Sequence, residues 1–374
     1  KLLGMALYRR SYWEQALPWL KRAVQHNPND SELRDVINRI SARSYLAPEI
    51  FDPLAHRTLK RYSPREAGEF IYTIDVAGTC NLRCPSCPVG NTDDEGRVKS
   101  MMKLQVFADI MAKIKRESPS PTAQVRLYNW GEPLLHPQLP NLIELIHQSG
   151  FTSHLSSNLN IKSHYLEQAL AANPTEFKVS LSGFNQSSYQ QTHTRGDIEW
   201  VKENLRRMRQ FVDLNQCTTR VWVNFHRYKT NLDDEAPMQA LCQELNFGFH
   251  PIDAFYQPLD KLLKLAEGDD EVMQEPVIHQ LLYSVPDHLR HLRDFHQADY
   301  DCELRFNQVV INADASVAQC CALYDSKSMP KIDFLTESHE GIEAAKYTNP
   351  ICQRCRTLAL DFSPKSIVTV DTNQ

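Results

Sequence analysis

Residues 71–91 read IYTIDVAGTCNLRCPSCPVGN, and the change of pattern inside this stretch decides the fold. IYTIDV is a run of β-branched, aromatic and aliphatic residues closed by Gly78, the signature of a short buried strand running into a loop. Three cysteines then fall within eight residues, Cys80, Cys84 and Cys87, spaced CxxxCxxC. A loop of this length can wrap three thiolates around three irons of a cubane and leave the fourth iron without a protein ligand. An open coordination position implies chemistry as well as structure. Zinc takes four ligands, usually from paired CxxC units, and this loop offers no fourth ligand nearby.

Outward from the loop, strand-like runs alternate with helical ones. IYTIDVAG is followed by a helix from Met102 to Glu117, then QVRLYN, Leu139 to Ser149, TSHLSSN, Lys162 to Ala172, FKVSLSG, Ile198 to Asp213 and RVWVNF. Strands separated by helices predict parallel βα units over residues 71–255, hence an α/β fold with a sheet closed or half closed into a TIM-like barrel. The C-terminal ends of barrel strands carry chemistry, so the cysteine loop falls at the barrel mouth.

The loop resembles that of the radical S-adenosylmethionine (SAM) superfamily. That resemblance implies a partial (β/α)6 barrel and a 4Fe-4S cluster on Cys80, Cys84 and Cys87. The open iron of the cluster would chelate the amino and carboxylate groups of SAM. One electron, from an external donor such as flavodoxin or ferredoxin, would then cleave SAM to methionine and a 5′-deoxyadenosyl radical that abstracts a substrate hydrogen. Further motifs follow in family order. Trp130-Gly131-Glu132-Pro133 resembles the GGEP motif that binds the SAM ammonium, with Trp130 in place of the first glycine. Asn158 ends the third strand, Ser180 and Ser182 end the fourth, and in the family these places contact the ribose. Arg195, in THTRGD, resembles the carboxylate-binding arginine, for which a guanidinium fork is suited. The residue before the third cysteine is often aromatic in the family and is Ser86 here. His136, His154 and His193 read as solvated or hydrogen-bonded side chains rather than metal ligands.

A second group of cysteines occupies residues 301–374: Cys302, Cys320, Cys321, Cys352 and Cys355, in CELRFNQVVINADASVAQCC and PICQRC. Two single cysteines and a CxxC can build one four-thiolate site, for iron–sulfur or for zinc. The pattern resembles the SPASM module of radical SAM enzymes in its single-cluster form, twitch. The resemblance implies a small α+β module whose auxiliary 4Fe-4S cluster is held by Cys302, Cys320, Cys352 and Cys355. Ala315 stands where the module's hairpin glycine would be, and Cys321 is the spare thiol. The isolated Cys217 and Cys242 read as buried apolar-like residues.

At the other end, GMALYRRSYWEQALPWLKRAVQHNPND carries small residues Gly4, Ala16 and Ala23 and aromatics Tyr8, Tyr12 and Trp13. It resembles a tetratricopeptide repeat over residues 1–48, with a second helix from Ser31 to Ile40. The plain alternative is a helical hairpin that only packs. Pro48, Pro53 and Pro64 predict a linker over 49–70, and residues 256–300 read as a helical connection without a motif.

A formal net charge of -5 from intermixed signs gives no broad basic surface for a phosphate backbone, which excludes nucleic acid as the expected partner. No run of apolar residues reaches a membrane span and no signal-peptide pattern opens the chain, so a cytoplasmic protein without membrane association is expected, although residue 1 is Lys. Enzymes with the auxiliary module often modify ribosomally made peptides, and the repeat points the same way, so the resemblance implies a peptide or protein substrate. Two alternatives stay open: an oxidoreductase acting on a small carbohydrate-like molecule, and a non-catalytic, zinc-stabilised binding scaffold.

Overall fold

Gly4 lets the first two helices touch. A Cβ there would lie 2.9 Å from the Leu20 side chain, so α1 (Leu2–Arg9) and α2 (Trp13–His26) cross at close range. Ala16, Leu20, Leu33 and Val36 bury a small core of their own beneath them. The computed structural model describes residues 1–9, 13–28, 30–34, 36–37, 46–62, 70–89, 99–269, 271–324 and 330–362. Tyr12, the side chains of Tyr8 and Trp13, and the end of the expected helix at 38–40 lie outside that set.

The segment expected as a linker forms an antiparallel hairpin instead, β1 (Leu46–Asp52) and β2 (Arg57–Tyr62). Its prolines do not prevent this. Pro48 falls where the register shifts between Ala47 and Ile50, and Pro53 opens the turn, both positions that need no ladder N–H. Pro64 lies outside the described residues.

The barrel strands are β3 (Ile71–Ile74), β4 (Gln124–Arg126), β5 (Thr152–Ser157), β6 (Glu176–Leu181), β7 (Arg220–Arg227) and β8 (Gly248–Asp253), all parallel neighbours in chain order. Between them run α3 (Leu104–Glu117), α4 (Leu139–Gln148), α5 (Tyr165–Ala171), α6 (Gln186–Thr192), α7 (Ile198–Leu214) and α8 (Glu235–Glu244). Side chains alternate across each strand. Val125, Leu155, Phe177, Val179, Val223 and Phe225 pack into the helix-side core, while Arg126, Ser156, Lys178, Ser180, Trp222 and Asn224 stay partly exposed on the opposite face. The sixth strand, GFHPID, was hidden by a glycine and a proline in six residues.

The sheet does not end at β3. β9 (Gln308–Ile311) adds to it in parallel and β10 (Val317–Ala318) pairs antiparallel with β9, giving the order β10-β9-β3-β4-β5-β6-β7-β8. The hairpin expected to belong to a separate C-terminal module thus continues the barrel sheet. Ala315 sits in its turn with φ 65°, the left-handed conformation in which glycine would be strain-free. Residues 256–300 carry the helices α9 (Leu259–Ala266), α10 (Pro276–Gln280) and α11 (Val285–Phe295). These helices share an apolar cluster with Cys355 and Leu360, which belong to or follow α14 (Pro350–Thr357). The short α12 (Glu303–Phe306) and α13 (His339–Thr348) complete this end. Among the described residues no helix is long and apolar enough to cross a membrane.

Candidate active site

The loop after β3 is held from below by the turn after β4. Asp75, buried at the end of β3, accepts the backbone N–H of Gly131 at 3.2 Å and of Trp130 at 3.5 Å. Glu132 N–H bonds Thr79 O at 2.9 Å. At Gly131 a Cβ would sit 1.5 Å from Ala77 O, so the two loops approach too closely for any other residue. Pro133 opens a short 3-10 turn, Pro133–Leu135, which the Glu132 carboxylate caps through Leu134 N at 3.0 Å.

Glu132 joins three strand ends. Its second oxygen accepts Asn158 N–H at 2.8 Å, and the Asn158 side chain reaches Asn81 Oδ1 at 3.0 Å and Cys80 Sγ at 3.5 Å. Asn81 donates in turn to Asn160 O at 2.7 Å. Complete burial pushes the Glu132 carboxyl up to about 7, with the bonds from Asn158 and Leu134 pulling the other way. These contacts fix Cys80, and Cys84 and Cys87 lie close enough for the three thiols to act on one another electrostatically. Burial, and then the nearby Glu132 carboxylate, push the Cys80 thiol up to about 12; burial and the other two thiols hold Cys84 well above its ordinary value. Thiols that repel one another's thiolate forms in a buried loop are a donor set for a cationic iron centre, which would hold them deprotonated. Among the described residues no three His, Cys, Asp or Glu side chains close around one point as they do for a single ion, whereas a cubane spreads its thiolates over separate irons.

The other expected SAM contacts divide. Asn158 lies beside the cysteine loop and Ser180 is partly exposed on the inner face of β6. Ser182 is fully buried, with its hydroxyl bonded to Thr192 and, at 2.9 Å, to His193 Nδ1, so the structure turns it into the protein rather than toward a ligand. Arg195 is exposed with φ 73°, next to Thr194, whose carbonyl accepts Arg83 N–H of the cysteine loop at 3.0 Å. The histidines are engaged locally. His136 Nε2 lies 2.8 Å from Met102 O, His154 meets Thr152 and Glu176, and His193 stacks on Tyr189 with centroids 4.6 Å apart while burial pushes its imidazole down to about 3.

Two contributors escaped the sequence reading. Asp75 is one, its position at a strand end being the only signal. Tyr228 is the other: it follows β7, is buried, and its hydroxyl hydrogen-bonds Ser86, so an aromatic ring stands beside the position where the cysteine loop lacks one.

A second centre lies where α14 meets the end of β10. Cys302, Cys320, Cys352 and Cys355 line one cavity, closed by apolar residues including Leu259, Leu323, Ile351 and Leu360. Cys321 is not among its walls. It faces the other way, toward Gln308 and the Arg126 guanidinium, which oppose the upward push of burial on its thiol. Burial, then Asp361 and Cys352, raise Cys302 well above the usual thiol range; burial, then Cys302, does the same for Cys355. Gln319 donates to Cys352 Sγ at 2.8 Å, and the buried Lys346 ammonium approaches Cys302, Cys320 and Cys352. Trp130 and Tyr324 meet edge to face at 5.6 Å, joining the two centres' loops.

A barrel with a three-cysteine loop at its mouth defines a class, and the comparisons name it. Residues 74–223 match the model of the Radical SAM superfamily. Residues 74–223 thus carry a radical SAM domain. The chain is 24% identical over 208 residues, 55% of its length, to a probable GTP 3′,8-cyclase of Methanococcus maripaludis, covering 65% of that protein. It is 31% identical over 119 residues, 31% of its length, to the 7,8-dihydro-6-hydroxymethylpterin dimethyltransferase of Methanocaldococcus jannaschii, covering 23% of it. The chain thus spans less than two thirds of these curated relatives. Its fold is similar to that of Streptococcus suis SuiB bound to S-adenosylmethionine, with TM-score 0.52, 13% identity and coverage of 92% of this chain and 78% of that one. SuiB bound to its precursor peptide SuiA matches at TM-score 0.52 and 11% identity, covering 92% and 80%.

Proposed function

We propose that this chain uses SAM and a 4Fe-4S cluster on Cys80, Cys84 and Cys87 to abstract a hydrogen atom from a peptide or protein. An auxiliary 4Fe-4S cluster on Cys302, Cys320, Cys352 and Cys355 assists. The observation that carries the reading is the pair of cysteine centres, one at the barrel mouth under Glu132 and Asn158, the other in the cavity at the end of β10. When bound, the first cluster supplies the electron that cleaves SAM to methionine and a 5′-deoxyadenosyl radical. The chain's own part is to bind, orient and shield. Gly131 would let the Trp130–Pro133 backbone approach the SAM ammonium, the Glu132 carboxylate would offer it charge, Asn158 and Ser180 would hold the ribose, and Arg195 would hold the carboxylate. Tyr228 and Trp130 wall the mouth against water. An external flavodoxin- or ferredoxin-like donor completes the electron supply, in a cytoplasmic setting that keeps thiols reduced.

The peptide assignment draws support from the SuiB complex with SuiA and from the paired helices α1 and α2, read as a tetratricopeptide-like docking unit. A small-molecule substrate is the second reading, favoured by the cyclase and the pterin dimethyltransferase among the relatives. Removing residues 1–45 separates them: turnover of a peptide falls, turnover of a small molecule does not. The core reading is tested by anaerobic iron and sulfide content and 5′-deoxyadenosine formation in wild type and in a Cys80/Cys84/Cys87→Ala triple variant. About eight irons falling to about four, with cleavage only in wild type, supports it. Zinc instead of iron, or cleavage that survives the variant, sinks it.

A further inference from the structure

The inner face of the barrel sheet carries two cations that the SAM cradle does not use. Lys178 on β6 stands opposite Trp222 on β7 and Ser156 on β5. Its ammonium lies 3.5 Å from the Tyr128 hydroxyl, 4.6 Å from that ring's centroid and 5.8 Å from the Trp222 ring. Arg126 is two residues before Tyr128 and so on the same face; its guanidinium donates to the neutral Gln124 amide oxygen at 3.1 Å. Both side chains remain partly exposed.

Among the described residues, the acids of this sheet are committed elsewhere. Glu176 pairs with His154 and Arg220, Asp253 with Arg227, and Asp75 accepts the Trp130 and Gly131 N–H groups. Aromatic faces orient an ammonium but leave its charge uncompensated. Two cations on one recessed polar face, without a carboxylate between them, are a recognition surface for an anion. Lys178 is two residues before Ser180, hence about 7 Å deeper in the barrel than the strand end beside the cysteine loop. That places the two cations below the strand ends to which the SAM contacts are assigned.

We infer that the inner face of the barrel binds an oxyanion of the substrate, a carboxylate or a phosphate, through Lys178 and Arg126. The assignment rests on the reading of this barrel as the chamber of a radical SAM enzyme, and it makes the segment or molecule that enters acidic.

Trp222 is placed to report binding. Tryptophan fluorescence of the full, cluster-loaded protein is titrated with glutarate, with glycerol 3-phosphate and with the neutral glutaramide, each in the presence of saturating SAM. A saturable change with an anion, none with glutaramide and none in Trp222→Phe is the expected result, and the tighter anion identifies the source of the charge. Lys178→Met and Arg126→Gln each weaken binding by about tenfold, the scale of one charge-assisted hydrogen bond. Lys178→Arg retains binding, which separates loss of charge from loss of fold. Equal response to glutaramide, no response to either anion, or a response that appears only without SAM overturns the proposal; the last would assign the cations to the SAM carboxylate. 5′-Deoxyadenosine formation by wild type is measured alongside. Its absence with anion binding intact would sink the radical reading and leave the anion site standing.

Discussion

At the scale of single residues, Gly131 and Glu132 make the sharpest demands. Any Cβ at position 131 meets the Ala77 carbonyl oxygen at 1.5 Å, a backbone atom that cannot yield without moving the cysteine loop. Gly131→Ala is therefore expected to weaken SAM binding by at least about tenfold, read by equilibrium dialysis, and to lower the melting temperature. Glu132 acts through charge. Its carboxyl titrates near 7 in the fold against 4.5 without burial, so between those values the folded chain holds a proton that the unfolded chain has lost. Stability conferred by that proton is full below about 4.5 and is lost as pH rises through about 7, a change on the order of 3 kcal/mol. Glu132→Gln should flatten this slope in thermal unfolding followed from pH 5 to 8. A cationic ammonium beside Glu132 favours the ionised form, so SAM affinity of the wild type should fall as pH drops below about 7 and that of the variant should not. A flat wild-type affinity profile would remove Glu132 from the cradle.

At the scale of elements, the turn between β10 and the following loop sorts two adjacent thiols. Cys320 faces the cavity shared with Cys302, Cys352 and Cys355, and Cys321 faces Arg126 and Gln308. Cys320→Ser should lower iron by about four per chain, whereas Cys321→Ser should leave iron content unchanged; the reverse result would reassign the ligand. Of these four thiols only Cys352 and Cys355 are held together by short covalent reach; the fold brings Cys302 and Cys320 to them. The parallel barrel was legible in the sequence, since Phe177, Val179 and Leu181 alternate with Lys178 and Ser180 in a way only a strand satisfies. Other features depend on partners far along the chain. The 46–62 hairpin disguised itself with Pro48 and Pro53, and its pairing is completed by Lys60 against Asp299 and Asp301. Ser182 looked like a ligand contact because its strand end is polar, but Thr192 and His193, ten and eleven residues on, claim its hydroxyl. Tyr228 and Asp75 carry no motif; only the fold brings them to the loop.

Across the whole molecule, one buried ion network ties the N-terminal hairpin to the C-terminal cysteines. Arg305, 3% exposed, bonds Asp52 Oδ2 at 2.8 Å and Asp301 Oδ1 at 2.6 Å, and Asp301 also meets Arg61 of β2 and Tyr347 of α13. Asp301 immediately precedes Cys302, whose backbone N–H donates to its Oδ1 at 2.8 Å. The guanidinium thus holds the hairpin against α12 and fixes the approach of the first cysteine of the cavity. Removing one partner of such a network leaves buried charges uncompensated, at a cost of about 3–5 kcal/mol. Arg305→Met keeps the volume and deletes the charge, so Asp52 and Asp301 must find water or protons. The variant should melt at a markedly lower temperature, and its loss should be uneven, because the barrel-mouth loop is secured separately by Asp75, Glu132 and Asn158. Iron should fall from about eight toward about four per chain, with 5′-deoxyadenosine still formed. Equal loss of both iron sets would mean that the two centres fold as one unit, through the β9–β3 pairing and the Trp130–Tyr324 contact, and that the hairpin supports the barrel as much as the cavity.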